Sequence, residues 1–234
     1  MLVADDGVPG VVVMLGGPDF ESVTVTGTRV MAGASAKLAK LLQQAANRGL
    51  AGVEGLAGIP GTVGGAVVGN AGGRWGEMGA AVSAVVGYTG AGERRRRARA
   101  ELGFGYREST LGDLVVTDVE VELRPGVREK IREQMADIIS ERRMSQPLDA
   151  RSAGCVFRNP PGHSAGELID RAGLKGQRVG GAEVSPVHAN FIVNRGPATA
   201  REVRELVRLI RSRVREKFAV ELELEVRLWP EMEW

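Results

Sequence analysis

Gly55-Leu-Ala-Gly-Ile-Pro-Gly-Thr-Val-Gly-Gly-Ala-Val-Val-Gly-Asn-Ala-Gly-Gly73 is the stretch on which the fold reading turns. Glycine or proline fills Gly58, Pro60, Gly61, Gly64, Gly65 and Gly69. Glycine permits positive φ and lacks the Cβ that would keep a ligand away from the backbone. Successive uncovered N–H groups then form a concavity suited to phosphate oxygens. The plainer reading is a tight, loop-rich connection in a β-domain. No Lys-Ser/Thr pair of a Walker loop comes after it, and no clean strand–turn–helix of a dinucleotide motif surrounds it. A phosphate bound here belongs to neither scheme.

The 234-residue chain is long enough for one large or two modest domains. Its 31 basic and 29 acidic residues leave a net charge of +2, which argues against a dedicated nucleic-acid binder. The one basic run, Arg94–Arg97, comes after the turn-like Thr89-Gly-Ala-Gly92 and contains no aromatic residue, so a solvated hairpin is expected. Cys155 is the single cysteine, which excludes an intramolecular disulfide. No apolar run approaches the roughly 20 residues that cross a bilayer, and no basic n-region precedes an apolar one at the start. The expectation is a cytoplasmic protein without membrane partners.

The first half reads as short strands between glycines: Val11–Leu15, Ser22–Thr26, Arg29–Ala34, Val82–Tyr88 and Leu114–Leu123. In the last, Val115, Thr117, Val119, Val121 and Leu123 alternate with mostly polar residues. Ser35 is placed to cap a helix from Ala36 to Arg48 that Gly49 stops. A second helix is predicted from Val127 to about Arg143, and the domain boundary is expected at Val127. Thereafter come a loop-rich Arg151–Pro161, a short helix around Ser164–Ala172 and a strand at Ala189–Asn194. Thr199-Ala-Arg-Glu202 is a capping box opening an amphipathic helix with Val203, Leu206, Val207, Ile210, Val214 and Phe218 on one stripe. A closing strand is expected from Val220 to Leu228.

Besides the glycine-rich stretch, three clusters carry chemistry: Phe104-Gly-Tyr-Arg-Glu-Ser109, Ser152-Ala-Gly-Cys-Val-Phe-Arg-Asn-Pro160 and Leu222-Glu-Leu-Glu-Val-Arg227. Each also has an ordinary reading. Tyr106 and Arg107 can lock a turn, and Cys155 beside Val156 and Phe157 can be a small buried hydrophobe. Glu223 and Glu225 alternate with Leu222, Leu224 and Val226 as in any half-solvated strand. His163 and His188 are too few and too badly spaced for a metal site, and none is expected.

Taken in order, these clusters resemble the UDP-N-acetylenolpyruvoylglucosamine reductase family. The shared segments are Gly58–Gly65 with Asn70-Ala-Gly72, Tyr106–Ser109, Ser152–Cys155 through Asn159-Pro160, and Leu168-Ile-Asp170. They continue through Ala172–Gly176, Gly180-Gly-Ala182 and His188-Ala-Asn190 to Glu223-Leu-Glu225-Val226, from about Leu2 to Leu228. The chain resembles the shorter of two family types, which lacks a substrate-covering insertion. The resemblance implies an α+β, two-domain FAD-binding flavoenzyme of the PCMH (vanillyl-alcohol-oxidase-like) type that works as a monomer. Residues 1–127 would hold FAD and 128–234 the UDP-sugar, with the reacting double bond at their interface.

By the same resemblance, Gly58, Ile59, Pro60, Gly61, Thr62, Gly64, Gly65, Asn70 and Gly72 would cradle FAD. Tyr106 and Asn159 would line the substrate site. NADPH would reduce the flavin, which passes hydride to the enolpyruvyl methylene carbon. Arg107 would meet the charge spreading into the carboxylate, since a guanidinium stays protonated and offers two donors. Cys155 matches the family's Ser or Cys proton donor; a thiol, with a reference pKa of about 8.5, is protonated at neutral pH and more acidic than an alcohol. Glu225 matches the second catalytic side chain, with a raised pKa expected.

Family members usually carry a strand and a Gly-Gly-Gly-Ser-Asn turn before the segment matching Leu2–Asp6. This sequence begins past that turn, so part of the flavin cradle and one strand partner are expected to be missing from it. Two other readings stay open: a non-catalytic paralogue binding a UDP-sugar or a partner without flavin, and another FAD oxidoreductase of the same architecture.

Overall fold

The computed structural model describes residues 1–230. By packing, the chain falls into two units: Val13–Glu141, and Met1–Val12 with the residues from Arg142 on.

The Val13–Glu141 unit is built on a five-stranded antiparallel sheet. Its strands are β1 (Val23–Thr26), β2 (Arg29–Gly33), β3 (Val82–Thr89), β4 (Arg94–Ala98) and β5 (Leu114–Glu122), in the order β1-β2-β5-β3-β4. Val30, Val85, Val119 and Val121 point into its core. Here β5 departs from the simple alternation expected of it. The register with β3 shifts between Val116 and Asp118, so Val116 is buried and Val115 is 55% exposed. A bulge adds a residue to one strand and turns the side chains beyond it, which puts Val119 and Val121 back on the core face. The Arg94–Arg97 run forms β4, an edge strand paired with β3 as the far arm of a hairpin. Charge on an edge strand discourages further pairing.

Helix α1 (Leu38–Asn47) lays Leu38, Leu41, Leu42 and Ala45 on the core. Gly49 comes next at φ 65°, a left-handed stop that glycine adopts without strain. Ser35 does not cap this helix. Lys37 holds the N-cap position, and Ser35 Oγ donates to the Leu15 carbonyl at 2.8 Å. The expected strand at Val11–Leu15 is absent too; Val11, Val13 and Met14 are more than 80% exposed. β-Branched residues favour a strand only where a ladder partner exists, and no described residue offers one.

After Glu122, helix α3 (Arg128–Ser145) buries Ile131 against Ala46 and Ala51. The division between the units falls inside α3, between Glu141 and Arg142, whereas the sequence places a boundary at Val127.

The second unit carries a four-stranded antiparallel sheet of β6 (Arg151–Cys155), β7 (Arg178–Val179), β8 (Ala182–Val184) and β9 (Phe191–Asn194), in the order β6-β9-β8-β7. The sequence assigns Arg151–Cys155 to a loop, yet it pairs with β9. Helices α4 (Ala165–Arg171) and α5 (Ala200–Phe218) pack Leu168, Ile169, Leu206, Val207, Ile210 and Val214 into one core with Val156 and Phe157. The capping box of α5 forms, with Glu202 N–H on Thr199 Oγ1 at 3.1 Å and Thr199 N–H on Glu202 Oε2 at 3.0 Å. Asp5 adds a second cap, accepting from Ala200 and Arg201 N–H at 2.7 and 3.1 Å. The closing strand shrinks to Leu228–Trp229, which pairs in parallel with Leu2–Val3, and one bridge, Leu224 to Phe157. Among the described residues no helix is long and apolar enough to cross a membrane.

Candidate active site

The glycine-rich stretch enters as an exposed loop, Gly58–Thr62, and continues as the short helix α2 (Val63–Val68). It is stitched to the chain after β2 by three backbone bonds. Leu38 N–H donates to Gly61 O at 3.0 Å, Val63 N–H to Ala36 O at 2.9 Å, and Gly64 N–H to Ala34 O at 2.8 Å. That approach explains Gly64, where a Cβ would lie 2.8 Å from the Ala34 methyl and 3.0 Å from its carbonyl oxygen. Gly61 has a different reason. Its φ is +118°, and a Cβ there would meet no protein atom within 4 Å. Thr62 caps α2 by accepting from Gly65 N–H at 3.3 Å. Among the described residues, the N–H groups of Gly58, Gly61 and Thr62 donate to no protein acceptor.

Asn70 and Gly72 join this loop to the segment bearing Arg107. Asn70, buried and at φ 39°, accepts from Gly79 N–H at 2.8 Å and donates Nδ2–H to the Gly105 carbonyl at 2.9 Å. Gly105 opens a tight hairpin whose turn residues are Tyr106 and Arg107. Ser109 on its far arm donates to the Val68 carbonyl at 2.8 Å, so the hairpin is moored to the end of α2 at two points. Arg107 sits at φ 61°, a region that disfavours a residue with a Cβ by about 1–2 kcal/mol. Its Nη1 donates to Gly72 O at 2.8 Å, and its guanidinium lies 5.6 Å from the Tyr106 ring centroid. Backbone held this way by its surroundings points to function. Tyr106 in the turn is half-exposed.

In the other unit Cys155 ends β6, half-buried, with Phe191 as its cross-strand partner. Glu225 N–H donates to the Val156 carbonyl at 2.8 Å, and Arg158 N–H donates to Glu223 O at 2.8 Å. Segments distant in sequence are thereby drawn together, with Cys155 and Glu225 flanking Val156. Asn159 Oδ1 accepts from Ala165 N–H at 2.9 Å, which fixes the loop leading into α4. His188 accepts the Asn190 N–H at Nδ1, 3.2 Å away, and meets the Phe191 ring edge-on at 4.9 Å. Burial, helped by the charge of Lys175, holds the imidazole below its ordinary pKa.

Residues 146–229 match the family model described as the C-terminal domain of UDP-N-acetylenolpyruvoylglucosamine reductase, and residues 2–93 match an FAD binding domain. A protein of Symbiobacterium thermophilum named UDP-N-acetylenolpyruvoylglucosamine reductase 2 is 44% identical, over 100% of this chain and 76% of its own length. The chain belongs to the UDP-N-acetylenolpyruvoylglucosamine reductase family. A Moorella thermoacetica member is 46% identical over 99% of this chain and 76% of its own length. The crystal structure of the Thermus caldophilus reductase superposes with a TM-score of 0.86 at 48% identity, covering 97% of this chain and 81% of that one.

The reductase family is FAD-dependent, and the loop fits such a cofactor. Gly58, Gly61 and Thr62 are exposed residues whose N–H groups take no protein acceptor among the described residues, donors of the kind a pyrophosphate accepts from. The space beside the Gly61 Cα is open, so a ligand can approach the backbone. Asn70 and Gly72 also brace the fold: the Asn70 side chain and the Gly72 carbonyl hold Gly79, Gly105 and Arg107. Asn190 and Ser109 were visible in the sequence only as members of motifs. No pattern shows that their side chains brace Phe157 and Val68, because both partners are remote in the chain.

Proposed function

We propose that the chain reduces the enolpyruvyl double bond of UDP-N-acetylenolpyruvoylglucosamine to give UDP-N-acetylmuramate, with NADPH as reductant, acting as a cytoplasmic monomer. FAD on the N-terminal residues 1–127 and the UDP-sugar on residues 128–234 make up this reading. The convergence of Cys155 and Glu225 on Val156, inside the part matched to the reductase C-terminal domain, carries it.

Bound FAD, once reduced by NADPH, supplies hydride to the terminal methylene carbon. The electron pair of the double bond then moves to the adjacent carbon and into its carboxylate. Arg107 is suited to that charge, because its planar guanidinium stays cationic and meets a carboxylate with two donors. Its hold on Gly72 O, within the moored hairpin, restricts the side chain before substrate arrives. The enolate must next gain a proton at the carbon beside the carboxylate. Cys155 Sγ–H delivers it, leaving a thiolate that solvent reprotonates. Glu225 polarises the thiol or shares its proton. Tyr106 and Asn159 contact the sugar nucleotide. Hydride and proton together convert the methylidene group to a methyl-bearing lactyl ether, and NADPH leaves as NADP⁺.

Cys155→Ser is expected to retain appreciable turnover, because a hydroxyl can replace the thiol as donor. Cys155→Ala should still permit NADPH to bleach the flavin absorbance while slowing saturation of the enolpyruvyl group by about 100-fold or more. Stopped-flow absorbance separates these two half-reactions. An alanine variant that reduced substrate at the wild-type rate would remove Cys155 from the chemistry. A colourless protein that ignores added FAD yet binds the UDP-sugar would favour the non-catalytic reading.

A further inference from the structure

Sheet pairing between β6 and β9 stops where the chemistry begins. Arg151 and Ser152 face Asn194 and Val193, and after an irregularity Cys155 faces Phe191. The extra residue of that irregularity falls at Ala153-Gly154, where Gly154 adopts φ 85°. A bulge re-aims the side chains beyond it, and here the next side chain is the thiol. Beyond Cys155 the partner strand has turned away into the His188–Asn190 segment, so the regular ladder cannot hold Val156 and Phe157.

Asn190 replaces it. Its carbonyl accepts from Val156 N–H at 2.9 Å. Its side-chain amide accepts from Phe157 N–H at 3.0 Å and donates to Phe157 O at 2.8 Å. A carboxamide presents one acceptor and one donor side by side, as a neighbouring peptide would. The amide therefore acts as one more rung of sheet. Asn190 is 3% exposed, so water does not compete for these bonds. Its own N–H is held by His188 Nδ1 at 3.2 Å, which stops the clamp from shifting. On the other side of the same segment Val156 O receives the Glu225 N–H. Asn190 thus fixes the piece of backbone from which both Cys155 and Glu225 take their bearings.

We propose that Asn190 is a positioning residue for this reaction, setting the direction of the Cys155 thiol and its spacing from Glu225. The proposal rests on the reading of Cys155 as proton donor. Its test includes a measurement that does not depend on that reading. Because Cys155 is the only cysteine, iodoacetamide labelling followed by mass spectrometry reports that thiol alone.

In the FAD-loaded protein, Asn190→Ala should keep NADPH-driven flavin reduction within about twofold of wild type. Reoxidation of the flavin by the enolpyruvyl substrate should slow by roughly 100-fold, the scale of an ångström-sized misplacement. The pH–rate profile of Cys155 alkylation should shift, with labelling at pH 8 changing by about threefold or more. If that variant does not fold, judged by circular dichroism, Asn190→Asp keeps the acceptor for Phe157 N–H and loses the donor. It should show the same two effects in milder form. A folded variant of either kind whose alkylation profile and half-reaction rates overlay those of wild type overturns the proposal. If instead Cys155→Ala turns over at the wild-type rate while Asn190→Ala still alters labelling, the donor reading fails. Asn190 then stands as the group that orients the thiol.

Discussion

His188 shows how one imidazole proton bears on the C-terminal unit. Its Nδ1 accepts from Asn190 N–H, so the neutral ring carries its proton on Nε2. Protonation would turn Nδ1 into a donor facing a donor. Burial disfavours the charged form first, and the Lys175 ammonium adds to it, so the folded pKa lies below the ordinary value near 6.5. The unfolded chain then takes up the proton before the folded one as pH falls. This contribution to stability is fully present above about pH 6.5 and is lost on acidification through the folded value. Urea unfolding measured between pH 7.5 and 5 should show a smaller loss of stability for His188→Gln than for wild type. Equal losses in the two proteins would mean that the ring titrates alike in both states. Residue chemistry of this kind was only half legible. The sequence displays His188-Ala-Asn190 as a motif, but Asn190 meets Phe157, 33 positions away, only through the pairing of β9 with β6.

Single side chains also join one element to another, and Asn70 is the case that matters most for Arg107. Its carboxamide links the end of α2 to the Gly105 carbonyl of the hairpin through a part-buried bond, and to the Gly79 N–H through a buried one. Asn70→Ala removes a donor and an acceptor together: Gly79 N–H loses its acceptor, while the Gly105 carbonyl keeps its pairing with Glu108 across the hairpin. The cost should be about 1–3 kcal/mol, the range for one buried group left without its partner. The variant also places alanine at φ 39°, a strained conformation, so Asn70→Gly separates backbone strain from lost hydrogen bonds. Calorimetry should find the glycine variant the more stable of the two. With the hairpin released, kcat should fall in both while NADPH-driven flavin reduction is retained. A wild-type kcat in Asn70→Ala would show that Ser109 alone moors Arg107. Elements were legible where the chain supplies its own partners. Helix α5 announces itself by its stripe and capping box because both lie within one helix. Val11–Leu15 and Val220–Leu228 read as strands by composition, yet a strand exists only where another segment completes its ladder. In β5 the expected face held from Thr117 to Leu123 and failed at Val115, because the bulge at Val116–Asp118 cannot be seen without β3 beside it.

Two separate cores, one in Val13–Glu141 and one in the remaining unit, make ligand binding divisible in experiment. The sequence placed a boundary at Val127 because Arg124-Pro-Gly126 ends a strand there. Packing sorts α3 otherwise, since Ile131 finds its cavity against Ala46 and Ala51 while the residues from Arg142 on pack elsewhere. The glycine-rich loop was the most legible part of the site, because unusual backbone is written directly as glycine. A ligand that binds only the folded form stabilises by RT ln(1 + [L]/Kd), about 2.7 kcal/mol at a hundredfold excess over Kd. If FAD seats on the N–H groups of Gly58, Gly61 and Thr62, that gain falls on the unit containing them. Hydrogen exchange with mass spectrometry should then show FAD slowing peptides from α1, α2 and β5 by up to about 100-fold, where exchange proceeds through opening of that unit. UDP-N-acetylenolpyruvoylglucosamine should instead protect peptides spanning Cys155–Leu168. FAD protection confined to peptides from Arg142 onward would remove the loop from flavin binding. An Asn70→Ala protein that still shows full FAD protection would place the role of that side chain with Arg107 rather than with the cofactor.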